Sequence, residues 1–416
     1  MAGDRLPSLR EAGWLAAPSL QRVMRLLDGG ERRTRVVGGA VRNALMGQPV
    51  ADVDLATELA PEEVVRRAQD AGVKAVPTGM AHGTVTLIAD HHPYEVTTLR
   101  RDVETDGRRA TIAYTDDWTE DAKRRDFTIN ALYADMDGSV FDPLDGYADL
   151  AARRVRFIGD AAQRIAEDYL RILRFFRFFA NYGGSAPDPA GVAACIAARA
   201  GLRTLSGERV RQELLRLLGV ADPVPAIAAM LEAGLLTEIL GGVAQPVLLR
   251  QYAAIEREHE LPADPVRRLC LLACLIGEDA ARLRDRLRLS RAEYARLAAA
   301  ADGYWRLRPF MSRLELQELL YHRAEETYLD LVIMAWARAG REHDLRWADA
   351  YALPQRWRVP ELPWSGSDLT ARGMAPGPQV GACLKHLEKA WIKRGFPTEP
   401  DTLTQLLDTA VQKSHG

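Results

Sequence analysis

The chain has 416 residues, of which 47% are hydrophobic and 27% are charged, so it is long enough for two to four domains of ordinary composition. Its net charge is −2 and it contains no run of about 18 apolar residues, which argues against a membrane span and against a strongly basic nucleic-acid binder. The N-terminal stretch does not resemble a signal peptide, and the four cysteines are scattered without a C-x-x-C pair. We therefore expect a cytoplasmic protein that makes no membrane contact.

The first third of the chain mixes strand-like and helical segments. TRVVGG, VADVDLAT, GTVTLIAD, YEVTTLR and TINALYAD have the pattern of strands, and Gly, Asp and Pro separate them. From about residue 161 the pattern changes to long amphipathic helices, including AEDYLRILRFFRFFANYG and GERVRQELLRLLG. The sequence predicts an α+β fold, in which a head with a mixed sheet is followed by an all-helical remainder.

A pair of glycines and a pair of aspartates mark the first candidate site. Gly38 and Gly39 end a strand-like run, and Arg42 lies one turn into the helix that follows. Glycines let the backbone approach a phosphate closely, and an arginine can donate to its oxygens. Asp52 and Asp54 follow at a spacing that puts both carboxylates on one face of a strand. Mg²⁺ binds such carboxylates together with water and phosphate oxygens, so this order predicts a site for a metal-bound triphosphate.

Two later segments offer further residues for that site. Glu95 alternates correctly within YEVTTLR to supply a third carboxylate from a neighbouring strand. In RRDFTINALYAD, Arg124 and Arg125 can neutralise phosphates, while Asp126 and Asn130 can exchange hydrogen bonds with a ribose. Taken alone, an exposed strand glutamate and a charged loop would explain the same residues.

The helical segment EDYLRILRFFRF carries the last candidate residues. As one helix, it places Asp168, Arg171 and Arg174 on a common face at three-residue intervals. A carboxylate acceptor beside a guanidinium donor can pair with the Watson–Crick edge of a nucleobase. Judged from the spacing alone, an ordinary surface salt bridge is the favoured explanation.

In this order the motifs resemble those of the class II tRNA nucleotidyltransferase and poly(A) polymerase family. The similar segments are GGAVRNALMGQPVADVDLAT, HGTVTL, YEVTTLR, RRDFTINAL, EDYLRILRFFRF and GERVRQELLRLL, which span about the first 220 residues. The resemblance implies a polymerase-β-type head at 1–150, a neck that recognises the nucleotide base at 151–220, a body at 221–310 and a tRNA-binding tail at 311–416.

The resemblance also assigns roles to single residues. It implies that Asp52 and Asp54 hold the catalytic Mg²⁺ and that Glu95 is the third catalytic carboxylate. The nucleotide-binding set that it implies comprises Gly38, Gly39, Arg42, Arg125, Asp126, Asn130, Glu167, Asp168, Arg171 and Arg174. Asn43 stands where the family often has Asp. That position either supports its loop by hydrogen bonds or alters the charge around Arg42.

Within this family the sequence favours addition of a complete CCA end to tRNA from CTP and ATP. VPTGMAHGTVTLIAD lacks the basic run that is typical of bacterial poly(A) polymerases. RRDVETDGRRATIAYTDDWTED matches, at full length, the flexible loop that the family needs to switch from C to A. Poly(A) synthesis and addition of CC or A alone stay open. The implied partners are the acceptor and TΨC arms of tRNA, with no protein partner.

Two other protein classes share part of this pattern. A small-molecule nucleotidyltransferase would have the G-G and D-x-D motifs, but it would need neither EDYLR nor the helical residues 221–416. A non-catalytic RNA-binding relative would be supported by loss of an aspartate from D-x-D, and both aspartates are present.

Overall fold

The computed structural model describes residues 6–28, 30–106, 109–341 and 343–414. At 102–106, 109–112 and 413–414 it describes the backbone alone. The chain divides into two compact units. The first comprises Met1–Ala244 with Asp285–Arg288, and the second comprises Gln245–Arg284 with Leu289–Gly416.

Most strands of the first unit belong to one mixed sheet. The strands are β1 (Thr34–Val37), β2 (Asp54–Thr57), β3 (Lys74–Gly79), β4 (Thr84–Ala89), β5 (His92–Thr98), β6 (Arg100–Asp106), β7 (Arg109–Tyr114), β8 (Tyr133–Ala134) and β9 (Val140–Phe141). The sheet order is β3-β4-β5-β2-β1-β8-β9, and β6 pairs with β7 in a separate antiparallel ladder. β2 and β5 run parallel, and this pairing sets Asp54 beside Glu95.

Alternating burial explains why β4 and β5 form strands with one covered face. Val85 and Leu87 are fully buried on β4, and Tyr94 and Val96 are buried on β5, whereas Glu95 between them is exposed. Apolar residues at every second position cover one face of the sheet against the core. The other face is left open and carries the glutamate.

Helices surround the sheet and continue beyond it in the first unit. They are α1 (Pro18–Asp28), α2 (Gly39–Leu45), α3 (Pro61–Asp70), α4 (Trp118–Lys123), α5 (Gly146–Ala151), α6 (Ala161–Glu167), α7 (Leu170–Tyr182), α8 (Pro189–Ala197), α9 (Gly207–Leu218), α10 (Val224–Glu232) and α11 (Leu235–Leu240). On α7, Phe175 and Phe178 are buried, and their rings lie 6.3 and 5.0 Å from that of Phe127. This aromatic cluster fixes α7 against the segment that contains Arg125 and Asn130.

The second unit is helical throughout its described residues. Its helices are α12 (Pro246–Glu258), α13 (Pro265–Ala273), α14 (Gly277–Leu287, which crosses the boundary), α15 (Arg291–Ala301), α16 (Arg313–His322), α17 (Glu325–Ala339), α18 (Leu345–Tyr351), α19 (Leu353–Arg356), α20 (Gly366–Ala371), α21 (Pro378–Lys393) and α22 (Pro400–Ser414). None of the helices in the described ranges is long and apolar enough to cross a membrane. The mixed sheet followed by helices confirms the predicted α+β class.

Three local predictions were wrong. TINALYAD forms a 3₁₀ turn at Thr128–Asn130 and only a two-residue strand, because its polar residues turn inward instead of alternating. β2 begins at Asp54, so Asp52 precedes the strand. EDYLR is not one helix, since Asp168 has an extended backbone between α6 and α7.

The segment predicted as a flexible loop contains the β6–β7 ladder and α4. Asp117 caps α4, because its carboxylate accepts from the backbone N–H groups of Thr119 and Glu120. Gly107 and Arg108 lie outside the described residues. Regular pairing therefore accounts for the described backbone of this segment.

Candidate active site

The parallel pairing of β2 with β5 brings two of the predicted carboxylates together. Asp54 and Glu95 are register partners, and Asp52 lies two residues before the strand. Partial burial raises the pKa of Asp54. The negative charges of Glu95 and Asp52 raise this pKa further, and the positive charge of Arg125 opposes the shift. These three carboxylates therefore repel one another across a short stretch of the sheet, as expected where a cation is to bind.

The donors at this position fit a hard divalent cation. Carboxylate oxygens from one or two aspartates are the ligands that Mg²⁺ uses when phosphates and water complete its shell. Within the described ranges, no group of three or more His, Cys, Asp or Glu side chains is arranged to hold a metal by itself. Water and phosphate oxygens would complete the shell of a cation bound here.

The diglycine turn lies against the two arginines that the sequence assigned to phosphate. Gly38 has a φ of 71°, a backbone conformation that favours glycine. A Cβ atom at Gly38 would lie 3.6 Å from the carbonyl oxygen of Asn130 and 3.9 Å from Nη1 of Arg125. At Gly39 it would lie 3.7 Å from Nη2 of Arg42. The turn thus keeps the space between the guanidinium groups clear of side chains.

Arg42 is buried, with 6% of its surface exposed, and its guanidinium meets only neutral acceptors. Nη2 donates to Oδ1 of Asn43 at 2.9 Å and to the hydroxyl of Tyr182 at 2.7 Å, and Nη1 donates to Oδ1 of Asn130. The guanidinium also stacks 4.0 Å from the centre of the Tyr182 ring. Burial lowers the pKa of Arg42, although Tyr182 and Asp126 oppose the shift.

No carboxylate within the described residues forms an ion pair with Arg42. A buried charge without a counter-ion is costly, which makes this position suited to an incoming anion. The sequence analysis missed Tyr182, because it lies 140 residues further along the chain than Arg42 and belongs to no motif.

Asn43, the departure from the family pattern, contacts both Arg42 and the loop that follows α2. Its Oδ1 accepts from Nε and Nη2 of Arg42, and its Nδ2 donates to the carbonyl oxygen of Pro49 at 3.2 Å. Pro49 lies in the loop that leads to Asp52. The Asn43 amide therefore supports this loop through its hydrogen bond to the Pro49 carbonyl, which an aspartate could not donate. Because the amide is neutral, it does not provide a counter-ion for Arg42.

Arg125 is held by Asp121, a residue that the sequence analysis did not single out. Asp121 is 1% exposed and accepts from Arg124 at 2.7 Å, from Arg125 at 3.0 Å and from the hydroxyl of Tyr133 at 2.9 Å. Burial disfavours its charge, yet the two arginines outweigh burial and lower the pKa of Asp121. Four-residue spacing on α4 was the signal that could have revealed the pair with Arg125.

Asp126, Asn130 and Arg174 form one network instead of separate contacts. Asp126 accepts from Nε of Arg174 at 2.9 Å and from Nδ2 of Asn130 at 2.9 Å. Asn130 accepts from Arg42 through its Oδ1, and Nη1 of Arg174 lies 3.8 Å from Glu213 on α9. The network connects α2 to α7 and α9, so it fixes the position of Arg42 relative to these helices.

Asp168 and Arg171, the residues predicted to face the base, do not form the ordinary salt bridge with each other that was the alternative explanation. Asp168 accepts from the backbone N–H of Leu170 at 3.1 Å and from Nη2 of Arg209 at 2.7 Å. Arg171 instead donates to Glu167, and this residue also accepts from Arg164 at 2.8 Å.

The break between α6 and α7 explains the change of partners. The extended backbone at Asp168 lets its side chain cap the first N–H groups of α7 and turns it towards α9. Asp168 and Arg209 line a cavity of about 370 Å³ together with Glu167, Tyr169 and Ser206. Both groups that the sequence assigned to base recognition are therefore held, each by a different partner.

Comparison with known proteins agrees with this site. The model of the "Poly A polymerase head domain" matches residues 34–156, and that of the "Probable RNA and SrmB- binding site of polymerase A" matches residues 186–245. The mitochondrial CCA tRNA nucleotidyltransferase 1 of Danio rerio is 34% identical over 398 residues, which is 90% of this chain and 86% of that protein.

The chain belongs to the CCA-adding tRNA nucleotidyltransferase family. The CCA-adding enzyme of Leuconostoc citreum is 30% identical over 89% of this chain and 90% of its own length. The crystal structure of the Bacillus stearothermophilus CCA-adding enzyme in complex with CTP superposes with a TM-score of 0.70 at 25% identity, covering 95% of this chain and 98% of that one. The resemblance inferred from the motifs is confirmed for CCA-adding nucleotidyltransferases.

The Asp121 cluster yields a stability prediction. Asp121→Asn should lower the free energy of unfolding by about 3 kcal/mol at pH 7, because it leaves two largely buried arginines without their counter-ion. Since the pKa of Asp121 lies below its usual value of 3.8, its contribution is present above that pH and is lost as the pH falls further. Urea unfolding of the wild-type protein and of Asp121→Asn should show that the difference between their free energies of unfolding becomes smaller below about pH 4.

Asp116→Asn is the matched control, because Asp116 is exposed and precedes α4. The control should change stability by no more than about 0.5 kcal/mol. Equal losses in the two variants would show that Asp121 is not the anchor of Arg124 and Arg125.

Proposed function

We propose that this chain adds CCA to the 3′ end of tRNA from CTP and ATP, without a nucleic-acid template. The observation that carries the proposal is the buried Arg42, without a carboxylate partner, beside a diglycine turn and a carboxylate pair. Such an arrangement suits a nucleoside triphosphate that brings both negative charge and a bound cation.

The reaction follows from this arrangement. The 3′ hydroxyl of the RNA loses its proton and attacks the α-phosphorus of the nucleotide, a new O–P bond forms, and pyrophosphate leaves. Arg42 and Arg125 bind the triphosphate and stabilise the charge on the departing pyrophosphate. Gly38 and Gly39 keep the space between the arginines open for it.

Asp52 and Asp54 are the residues that would hold Mg²⁺, with Glu95 as the third catalytic carboxylate. A cation held by these residues would make the attacking hydroxyl more acidic and would neutralise charge on the phosphates. The raised pKa of Asp54, due to partial burial and to Glu95, supports a place for a cation between these groups. Asp126 and Asn130 would contact the sugar and phosphates, and they hold Arg174 and Arg42.

Base choice rests on Asp168 and Arg171. Cytosine and adenine each present an exocyclic amine, whereas uracil and guanine present an oxygen at the corresponding position. A carboxylate accepts from the amine and repels the oxygen, and a guanidinium supplies donors to neighbouring base acceptors. Arg209 and Glu167 keep the two groups in place. Such a pair would accept C and A and reject U and G.

The remaining chain supplies the RNA-binding parts. We assign the head to 1–150, the neck to 151–220, the body to 221–310 and the tRNA-binding tail to 311–416. Contacts to the acceptor and TΨC arms would read shape and backbone. The four cysteines are buried thiols that form no disulfide with one another, which supports a reducing compartment such as the cytoplasm.

A transcript of tRNA that lacks its last three nucleotides tests the function. With Mg²⁺, we expect two added nucleotides with CTP alone and one more when ATP is also present, resolved at single-nucleotide length on a gel. Asp52→Ala should abolish addition, because it removes a metal ligand, while RNA binding persists. A long ladder with ATP alone would mean poly(A) synthesis, and addition by Asp52→Ala would remove the metal assignment.

Arg209 should act as a positioning residue for base choice. Arg209→Ala removes the side chain that holds the Asp168 carboxylate, so the preference for CTP over UTP in kcat/KM should fall by about 10- to 100-fold. Arg209→Lys should restore part of the preference. Measurement of kcat and KM for all four nucleotides checks both variants.

Arg203→Ala provides the control, because Arg203 forms a comparable but exposed ion pair with Glu238 in the same unit. It should leave the preference unchanged. If Arg209→Ala lowers activity equally for all four nucleotides, Arg209 supports the fold and not base choice.

A further inference from the structure

A basic cavity in the second unit has no role in the site described above. Its volume is about 460 Å³, within the range of ligand pockets, and it is lined by residues of 308–316 and 346–356. The lining includes four arginines and a single acid, Asp349. The inference that follows rests on the proposed function, because that function supplies an RNA ligand.

An exposed aromatic ring forms one wall of the cavity. Phe310 is 79% exposed, which is unusual for phenylalanine, and the guanidinium carbon of Arg346 lies 4.4 Å from its ring centre. Asp344 fixes this guanidinium through hydrogen bonds of 2.9 and 2.7 Å. The ring and the guanidinium plane are therefore held together before any ligand arrives.

The rim of the cavity carries unpaired positive charge. Within the described ranges Arg313 forms no ion pair. Arg308 forms none within 4.0 Å, although Glu315 is near enough to interact with its charge, and Arg356 pairs with Asp349 at 2.8 Å. Trp347, which also lines the cavity, is 2% exposed, and its indole N–H has no acceptor in the described part of the chain. The surface thus offers stacking area and positive charge, and the indole N–H of Trp347 lies buried behind it.

We propose that this cavity binds an unpaired nucleotide of the RNA substrate. The base stacks on the Phe310–Arg346 surface, and its phosphates face Arg308 and Arg313. Proteins read single-stranded RNA in this way, through aromatic rings and arginine planes with basic groups along the backbone. Four arginines against one aspartate in the lining suit a ligand that carries phosphate groups.

The test measures the affinity of the full chain for a tRNA transcript that lacks its last three nucleotides, over a series of salt concentrations. Phe310→Ala should weaken binding about tenfold without changing the slope of log affinity against log salt, because it removes a stacking surface and no charge. Arg313→Ala should weaken binding and reduce that slope by about 0.7 to 0.9.

Trp305→Ala is the matched control for the ring. Trp305 is 57% exposed and also stacks with an arginine, Arg306 at 4.6 Å, but it does not line the cavity. Its loss should change the affinity less than twofold. Unchanged affinity in Phe310→Ala, or equal losses in Phe310→Ala and Trp305→Ala, would overturn the proposal.

The failure of this inference is distinct from a failure of the proposed function. Wild-type protein that adds CCA while Phe310→Ala binds RNA normally would refute the nucleotide pocket alone. Wild-type protein that adds no nucleotide, yet loses RNA affinity in Phe310→Ala, would refute the catalytic proposal and support the pocket.

Discussion

The buried guanidinium of Arg42 is the feature on which the rest of the site depends. It sits among Asn43, Asn130 and Tyr182, which satisfy its donors but supply no negative charge. A protein interior tolerates such a charge only when surrounding contacts hold it in place or a ligand neutralises it. A triphosphate provides the missing negative charge. Nucleotide binding therefore offsets the energetic cost of burying Arg42.

The contacts around Arg42 also link parts of the first unit that are distant in sequence. Asn43 reaches the carbonyl of Pro49 in the loop before Asp52, and Asn130 reaches Asp126, which holds Arg174 on α7. The same unit therefore connects the phosphate-binding turn to the helices that carry the base-recognition residues. Arg174 and the base-recognition residue Arg171 both lie on α7, so we infer that this helix positions the base relative to the triphosphate.

Local pattern predicted the fold class and grouped the site residues, but it did not predict their partners. The strand alternation of β4 and β5 is visible in the sequence, and so is the order of the motifs. The break at Asp168 is not visible in the sequence, because helical propensity continues through EDYLR. It is revealed only by the cap on α7 and the ion pair with Arg209. Tyr182 contacts Arg42 from 140 residues further along the chain, and Arg209 contacts Asp168 from 41 residues further along. Periodicity carries no information on such contacts.

Asn43→Asp tests the central claim most directly, because it supplies Arg42 with a counter-ion and gives up only the 3.2 Å hydrogen bond from Asn43 to the Pro49 carbonyl. The account predicts that the free energy of unfolding of the nucleotide-free protein rises while the affinity for CTP falls, measured by urea unfolding and calorimetric titration. Asn181→Asp, the same exchange at an exposed position of α7, is the control and should change neither quantity. An unchanged CTP affinity together with unchanged or lower stability in Asn43→Asp would contradict the claim that an uncompensated Arg42 binds the triphosphate.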